Sequence, residues 1–183
     1  MANPIPTEVL KMRTTNDEIR IYVACLASYN DGILHGAWID ATQGLEGVWR
    51  EVSAMLLRSP VEYAEEWAIH DYEGFGELHL SEYEGLDRVS EYAAFIEDHG
   101  ALGAALLSER GDLEDAQKAS DEQYAGQFRS LADFAEEITE ETSEIPENLR
   151  FYIDYEAMAR DLVINDVFTI QTGFEDIHVF WQR

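Results

Sequence analysis

The side chains of this sequence that are best suited to chemistry are histidines close to carboxylates. Glu66 and His70 are four residues apart, and Asp71 and His79 follow closely. Such a cluster could hold a divalent metal ion that activates water for hydrolysis. The sequence nevertheless lacks an HExxH or CxxC pattern and the DxDxDG loop of calcium sites. We therefore interpret these histidines as strand or surface residues, and we predict neither a metal nor another cofactor.

The sequence gives equally little support for a catalytic nucleophile or a phosphate-binding loop. Cys25 is the single cysteine and lies in an apolar stretch typical of a buried strand, so we interpret it as a core residue. No serine lies in a GxSxG pattern, and the glycines of EGFGELH (73–79) match neither GxGxxG nor a P-loop. The sequence therefore predicts a protein that is not an enzyme.

Carboxylates are the functional side chains that the chain has in excess. The 183 residues include 38 Asp and Glu against 12 Lys and Arg, which gives a net charge of −26. Residues 62–147 hold 25 of these acids and four of the bases. This charge repels nucleic acids and anionic lipids, so we exclude direct binding to either. It also exceeds the magnitude of about 2–8 that keeps a small domain soluble, which favours a basic partner.

Two predicted helices position many of these acids. Residues 84–99 and 130–142 have apolar side chains at three- and four-residue steps on one face and acids on another. A short buried helix is predicted over 101–107, whereas residues 111–126 are ambiguous. Carboxylates at helical spacing lie about 5–6 Å apart and could imitate a DNA backbone, since a duplex carries about one charge per 1.7 Å. The acids predicted to represent phosphates are Glu62, Glu65, Glu84, Asp87, Glu91, Asp98, Glu109, Asp112, Asp115, Asp133, Glu137 and Glu140.

The stretches on either side of these helices mix strand and helix patterns. Alternating or β-branched runs indicate strands, turn residues such as Asn30, Asp31 and Gly32 indicate hairpins, and a three-to-four-residue apolar period indicates helices. The predicted elements are a hairpin of strands 19–29 and 33–41, a helix over 44–59, a strand over 66–72, a helix over 151–164 and a terminal hairpin of strands 167–172 and 177–181.

The predicted fold is α+β, arranged as three small domains after a tail. The divisions are a flexible N-terminal tail (1–18), an N-terminal α+β domain with a hairpin and a helix (19–77), an acidic helical middle domain (78–122) and a C-terminal α+β domain with the terminal hairpin (123–183). Residues 1–18 lack the apolar segment of a signal peptide, and no run approaches the roughly 20 apolar residues of a membrane span. We expect a cytoplasmic protein.

Several blocks of the sequence resemble the ArdA family. IYVACLASYNDGILHGAWIDA (21–41) is similar to the opening of that family, IYVxxLxxYNxGxLxGxWID, and EEWAIHDYEGF (65–75) is similar to its next block. YEAMARDL (155–162) and HVF (178–180) resemble its closing part. The similarity runs in order from Ile19 to the C-terminus and leaves the N-terminal tail outside.

The resemblance implies an antirestriction protein of mobile genetic elements such as plasmids and conjugative transposons. It implies an elongated homodimer of three small domains in series, joined through the C-terminal domain. It further implies that the protein imitates bent B-form DNA and occupies the DNA-binding groove of a type I restriction–modification enzyme, at the methyltransferase core with its specificity subunit. The composition leaves open an alternative, an acidic chaperone or decoy for basic nucleoid-type DNA-binding proteins.

The resemblance also points to a functional segment near the C-terminus. QFRSLADFAEEITEE (127–141) is similar to the region described as the antirestriction motif, close to the dimer contact. The residues of this candidate motif are Phe128, Leu131, Phe134, Ala135 and Ile138. The family implies no catalytic residues.

Overall fold

The computed structural model describes residues 18–182, which leaves nearly all of the predicted tail outside the described residues. Within that range the chain is α+β, with six α-helices and two antiparallel sheets of three strands each, which confirms the predicted class. It divides into two compact units, residues 18–113 and residues 114–182. The predicted division into three domains stays a prediction. No helix in the described range combines the length and apolar character needed to cross a bilayer.

The first unit is built on a sheet with strand order β2-β1-β3. A short helix lies between the two strands predicted as a hairpin, because Leu26–Asn30 turns inward and the Ser28 hydroxyl bonds that of Ser59 at 2.9 Å. The strand predicted over 19–29 was therefore too long at its C-terminal end. The elements are β1 (Arg20–Cys25), α1 (Leu26–Asn30), β2 (Gly36–Asp40), α2 (Gly44–Leu57), β3 (Trp67–Glu73) and α3 (Leu86–Arg110).

Helix α3 differs from its prediction at both ends. Its N-cap, Gly85, is extended at φ −64° and ψ 137°, so the helix begins at Leu86 rather than at Glu84. Gly100 interrupts the helix as predicted, with φ 61° and ψ −143°, a conformation that glycine adopts at little cost. The chain then resumes helical geometry as far as Arg110, three residues beyond the short helix predicted over 101–107.

The core of the first unit is formed by β1, α2 and the N-terminal half of α3. The apolar positions that the helical period predicted to face inward in α3 are all buried, which confirms that face. In α2 the predicted inward positions Val48, Val52 and Met55 are buried, whereas Leu45 and Trp49, also predicted to face inward, are partly exposed. The buried side chains of the three elements include Ile21, Val23, Cys25, Val48, Val52, Met55, Leu86, Val89, Ala93 and Ile96.

The second unit has a sheet of strand order β4-β6-β5. The terminal hairpin and the helix over 130–142 were predicted correctly, and the helix predicted from residue 151 begins at Tyr155, where Asp154 accepts a cap hydrogen bond from the Ala157 amide at 2.9 Å. The strand β4 begins at the end of the stretch 111–126, whose pattern was ambiguous, and extends two residues beyond it. The elements are α4 (Leu113–Lys118), β4 (Tyr124–Phe128), α5 (Leu131–Thr142), α6 (Tyr155–Asn165), β5 (Val167–Gly173) and β6 (Asp176–Trp181).

Helix α5 lies against this sheet. Ser130 caps its first turn by accepting a hydrogen bond from the amide of Asp133 at 3.1 Å. Phe134 of the helix forms a buried cluster with Val167 and Val179 of the sheet. The apolar face of α5 is thereby fixed on the sheet, so its opposite face is directed to solvent.

Candidate functional site

The carboxylates of the described residues lie almost entirely at the surface. Residues 18–182 contain 36 Asp and Glu, of which none is buried and 34 are exposed. The two that are half-buried are Glu84 and Asp176. The same range holds nine Lys and Arg, so 27 carboxylates are in excess even if every base neutralises one acid. The structure therefore presents a strongly negative surface.

Helix α5 carries the densest regular array of these acids. Its outer face holds Asp133, Glu136, Glu137, Glu140 and Glu141, all exposed, and its twelve residues include no Lys or Arg. At 1.5 Å and 100° per residue the helix is about 18 Å long and the five acids fall within an arc of about 140°. This is about one carboxylate per 3.6 Å, close to the roughly 3.4 Å per charge along one strand of DNA.

Helix α3 presents a sparser line of charge. Asp87, Glu91 and Asp98 are exposed and lie within about 40° of one another around the helix axis. The break at Gly100 ends this line, so Glu109 belongs to a separate helical segment. Five predicted acids lie outside α3 and α5, and all except Glu84 are exposed. The exposed ones are Glu62 and Glu65 in the α2–β3 loop, Asp112 between α3 and α4, and Asp115 in α4.

Two of the predicted phosphate mimics are engaged in ion pairs within the chain. Glu84 is half-buried, lies 3.5 Å from Arg88, and precedes the helix that was expected to carry it. Glu140 lies 2.9 Å from Arg150. An arginine at this distance reduces the local field of the carboxylate, so these two acids offer less charge to a partner than does Glu137, for which the structure shows no ion pair within residues 18–182.

The residues of the candidate antirestriction motif form the inner, apolar face of α5 and the end of the neighbouring strand β4. Phe134 and Ala135 are buried, and the half-buried Leu131, Ile138 and Phe128 pack against the cluster that Phe134 forms with the sheet. Phe128 lies in β4 and not in the helix, with its ring centroid 5.1 Å from that of Phe134. These five side chains hold α5 in place, and the acids on its other face are thereby oriented toward solvent.

The histidines considered for metal binding have other contacts. His70 Nε2 lies 3.5 Å from Glu82 Oε1, and the Tyr29 ring meets the imidazole edge-on at 4.9 Å. His79 Nδ1 is 3.1 Å from the Tyr72 hydroxyl. Across residues 18–182 the structure contains no group of three or more side chains placed to bind a metal ion. Cys25, as predicted, is fully buried.

One polar cluster had no signal in the sequence. The ring of buried His178 is bonded at both nitrogens, at 3.1 Å each, by the Tyr124 hydroxyl and the Thr172 hydroxyl. Thr172 in turn donates to Asp176 at 2.7 Å. Burial lowers the pKa of His178, and burial raises the pKa of Tyr124 to about 12. Because Tyr124 and His178 are 54 residues apart, only the folded sheet brings them together.

Comparison with family models of known proteins gives a match over most of the chain. The family model described as "Antirestriction protein (ArdA)" matches residues 21–176. No curated protein matches the chain in sequence. The matched stretch begins in β1 and ends at the first residue of β6, so it includes residues of both compact units. Because it covers far more than half of the 183 residues, the chain belongs to the ArdA family of antirestriction proteins.

Proposed function

We propose that this chain imitates the phosphate backbone of B-form DNA and inhibits type I restriction–modification enzymes. It occupies the DNA-binding groove of the methyltransferase core with its specificity subunit, in the cytoplasm of a bacterial host. The observation that carries the proposal is the exposure of 34 of the 36 described carboxylates, in a chain of an antirestriction family.

Competition with DNA is the mechanism that this surface favours. A groove that binds DNA is lined with Lys and Arg, which contact backbone phosphates without regard to base sequence. Exposed carboxylates can accept charge-assisted hydrogen bonds from the same side chains. The spacing of about 3.6 Å per charge on α5 supports such a substitution, since it is close to the spacing along a DNA strand. Occupancy alone then inhibits the enzyme, so no catalytic group is required.

The proposal is tested by cleavage of unmodified DNA with a purified type I enzyme while the chain is titrated in. A type II enzyme serves as the specificity control, and polyglutamate at equal carboxylate concentration serves as the control for charge alone. We expect type I cleavage to cease near stoichiometric protein, type II cleavage to continue, and added DNA to reverse the inhibition. Equal inhibition of both enzymes, or of neither, contradicts the proposal and points to a decoy for basic nucleoid-type proteins.

A homodimer joined through the C-terminal part of the chain belongs to the same proposal. Large apolar side chains in that part are exposed, and side chains of this kind are suited to the buried centre of a homodimer interface. They include Leu149, Phe151, Tyr152, Ile164 and Phe174. Light scattering at micromolar concentration should give twice the mass of the chain, and the double variant Phe151→Glu/Ile164→Glu should give less dimer. A strict monomer in the unaltered chain contradicts dimerisation.

A further inference from the structure

Strand β4 connects the sheet of the second unit to the acidic helix α5. The strand ends at Phe128 and the helix begins at Leu131, so the place where β4 pairs with β6 sets the place from which α5 starts. This pairing is irregular, because the register shifts between Tyr124 and Gly126. In a short strand that contains glycine the register is weakly specified by the backbone, and a slip of one residue turns every side chain to the opposite face.

Hydrogen bonds between side chains fix β4 in one register. The hydroxyl of buried Tyr124 lies 3.1 Å from Nδ1 of His178 on β6. Nearer to α5, the Gln127 side-chain amide donates to Oδ1 of Asp176, the first residue of β6. A slip of one residue would move both β4 side chains by about 3.3 Å and turn them to the other face, so neither bond would survive it.

The donors and acceptors of the buried cluster form a chain with one direction. Thr172 has one hydroxyl proton, which it donates to Asp176 at 2.7 Å. Its oxygen therefore accepts a hydrogen bond from Nε2 of His178, 3.1 Å away. The neutral imidazole then carries its proton on Nε2, so Nδ1 accepts from the Tyr124 hydroxyl. Both ring nitrogens are satisfied in this way as long as Tyr124 stays opposite Nδ1.

The cluster lies on the face of the sheet opposite α5. On β6, Val179 belongs to the buried group that includes Phe134 of the helix, so the neighbouring His178 points to the other face. Phe128 of β4 lies on the helix side, with its ring centroid 5.1 Å from that of Phe134. A slip of β4 would turn Phe128 away from α5. The cluster therefore acts on α5 through strand β4, and it leaves the charge of the acids unchanged.

We propose that Tyr124, His178, Thr172 and Asp176 form a register lock, a directed chain of hydrogen bonds that holds β4 on β6 and thereby positions the acids of α5. The value of this lock for inhibition rests on the proposed function, whereas the directed chain itself does not. Without the lock a second register of β4 becomes populated. Because the affinity for the partner falls with the fraction of molecules in the native register, inhibition weakens although the net charge is the same.

The direction of the chain is tested in the wild-type protein by nuclear magnetic resonance. Burial lowers the pKa of His178, so the ring is neutral at neutral pH. Proton–nitrogen correlation spectra of the isotope-labelled, full-length chain should then show a proton on Nε2 of His178 and none on Nδ1. A proton on Nδ1 overturns the lock, because that nitrogen could not accept from Tyr124.

The effect on α5 is tested with the variant Tyr124→Phe. It keeps the ring, whose centroid lies 5.3 Å from that of Phe180, and removes the hydroxyl without a change of charge. We expect a second set of amide resonances in β4 and in the first turn of α5. Inhibition of type I cleavage should weaken about two-fold, as when half of the molecules leave the native register. Binding to an oligo-lysine peptide, measured by titration calorimetry as a readout of charge alone, should stay the same.

The first unit offers a matched control. Tyr72→Phe removes a hydroxyl that also lies 3.1 Å from Nδ1 of a histidine, His79. It should leave the resonances of β4 and α5, the inhibition and the peptide binding as in the wild type. Equal effects of Tyr72→Phe and Tyr124→Phe on β4 and α5 overturn the inference, and so does a second register in Tyr124→Phe that leaves inhibition unchanged.

These outcomes distinguish the lock from the proposed function. If the wild type inhibits the type I enzyme and Tyr124→Phe shows a single set of resonances with full inhibition, the lock is wrong and the proposed function stands. If a second set appears in Tyr124→Phe but the wild type leaves the type I enzyme active, the lock stands and the proposed function is wrong.

Discussion

His178 is the buried ionisable side chain whose protonation bears most directly on folding. It is 4% exposed, and burial lowers its pKa below the ordinary value of 6.5, although Asp176 acts in the opposite direction. The unfolded chain therefore binds a proton at this position more readily than the folded chain. By linkage, the stability from this site is complete above about pH 6.5 and is lost as the pH falls toward the lowered pKa.

The variant His178→Gln tests this dependence. The free energy of unfolding of the wild type should decline more steeply than that of the variant as the pH falls from about 7.5 to about 5.5, as measured by urea denaturation followed by circular dichroism. His79→Gln, which alters an exposed histidine of the other unit, is the control and should parallel the wild type. If the free energies of unfolding of the wild type and His178→Gln differ by a constant amount across this pH range, the prediction is wrong.

Contacts of single side chains were not predictable from the sequence. Glu84 was predicted as a phosphate mimic, but it precedes the N-cap Gly85 and lies 3.5 Å from Arg88. The pairing of Glu140 with Arg150 crosses a loop, and the contact of Tyr124 with His178 crosses the sheet. Neither leaves a periodic signal, because each depends on how distant segments pack.

Helix α5 keeps its charges at a cost in stability. Asp133 and Glu137, Glu136 and Glu140, and Glu137 and Glu141 are like-charged pairs four residues apart, each worth about 0.2–0.5 kcal/mol of destabilisation in an isolated helix. Glu137→Lys converts two of these pairs into attractive ones. We expect it to raise the free energy of unfolding by about 1 kcal/mol at low salt, and to weaken inhibition of the type I enzyme.

Urea denaturation at low ionic strength and at about 1 M salt checks this expectation, because the Debye length falls to about 3 Å at the higher concentration. The gain should shrink markedly in high salt. Glu137→Gln, which removes repulsion without adding attraction, should give about half the gain. An increase in stability that is insensitive to salt would mean that the cause is not electrostatic.

Elements with a clear helical or strand pattern, including α5 and the terminal hairpin, were predicted well, whereas β4 and α1 were not. The positions of Leu131, Phe134, Ala135 and Ile138 identify α5 because they recur at helical spacing. Strand β4 is five residues long and includes Gly126, so it gains its identity from its pairing with β6. Helix α1 replaces the end of a predicted strand because buried contacts of Ser28 outweigh the local preference of a β-like sequence.

Across the whole molecule the acidic surface acts collectively. Replacing one exposed acid, as in Glu91→Gln, should weaken inhibition only slightly. The change in binding free energy, calculated from the inhibitory concentration, should be less than about 1 kcal/mol. Converting all five acids of α5 to amides should instead reduce the slope of inhibition against the logarithm of salt concentration, because fewer cationic contacts are made. The assay is type I cleavage over a salt series, with circular dichroism to show that the variant folds. A single amide substitution that abolishes inhibition would contradict the collective mechanism.

The separation of exposed acids from a buried apolar core has a consequence for how such chains diverge. Because no described carboxylate is buried, one acid can be lost and another gained a helical turn away while the fold and the total charge stay the same. Core positions such as Phe134 and Val179 allow no such exchange, since each fills a fixed space. As sequences of this family diverge, the positions of the acids should therefore change early and the apolar pattern should change late. Distant relatives of this chain would then share its core residues and its net charge, but few of its individual acids.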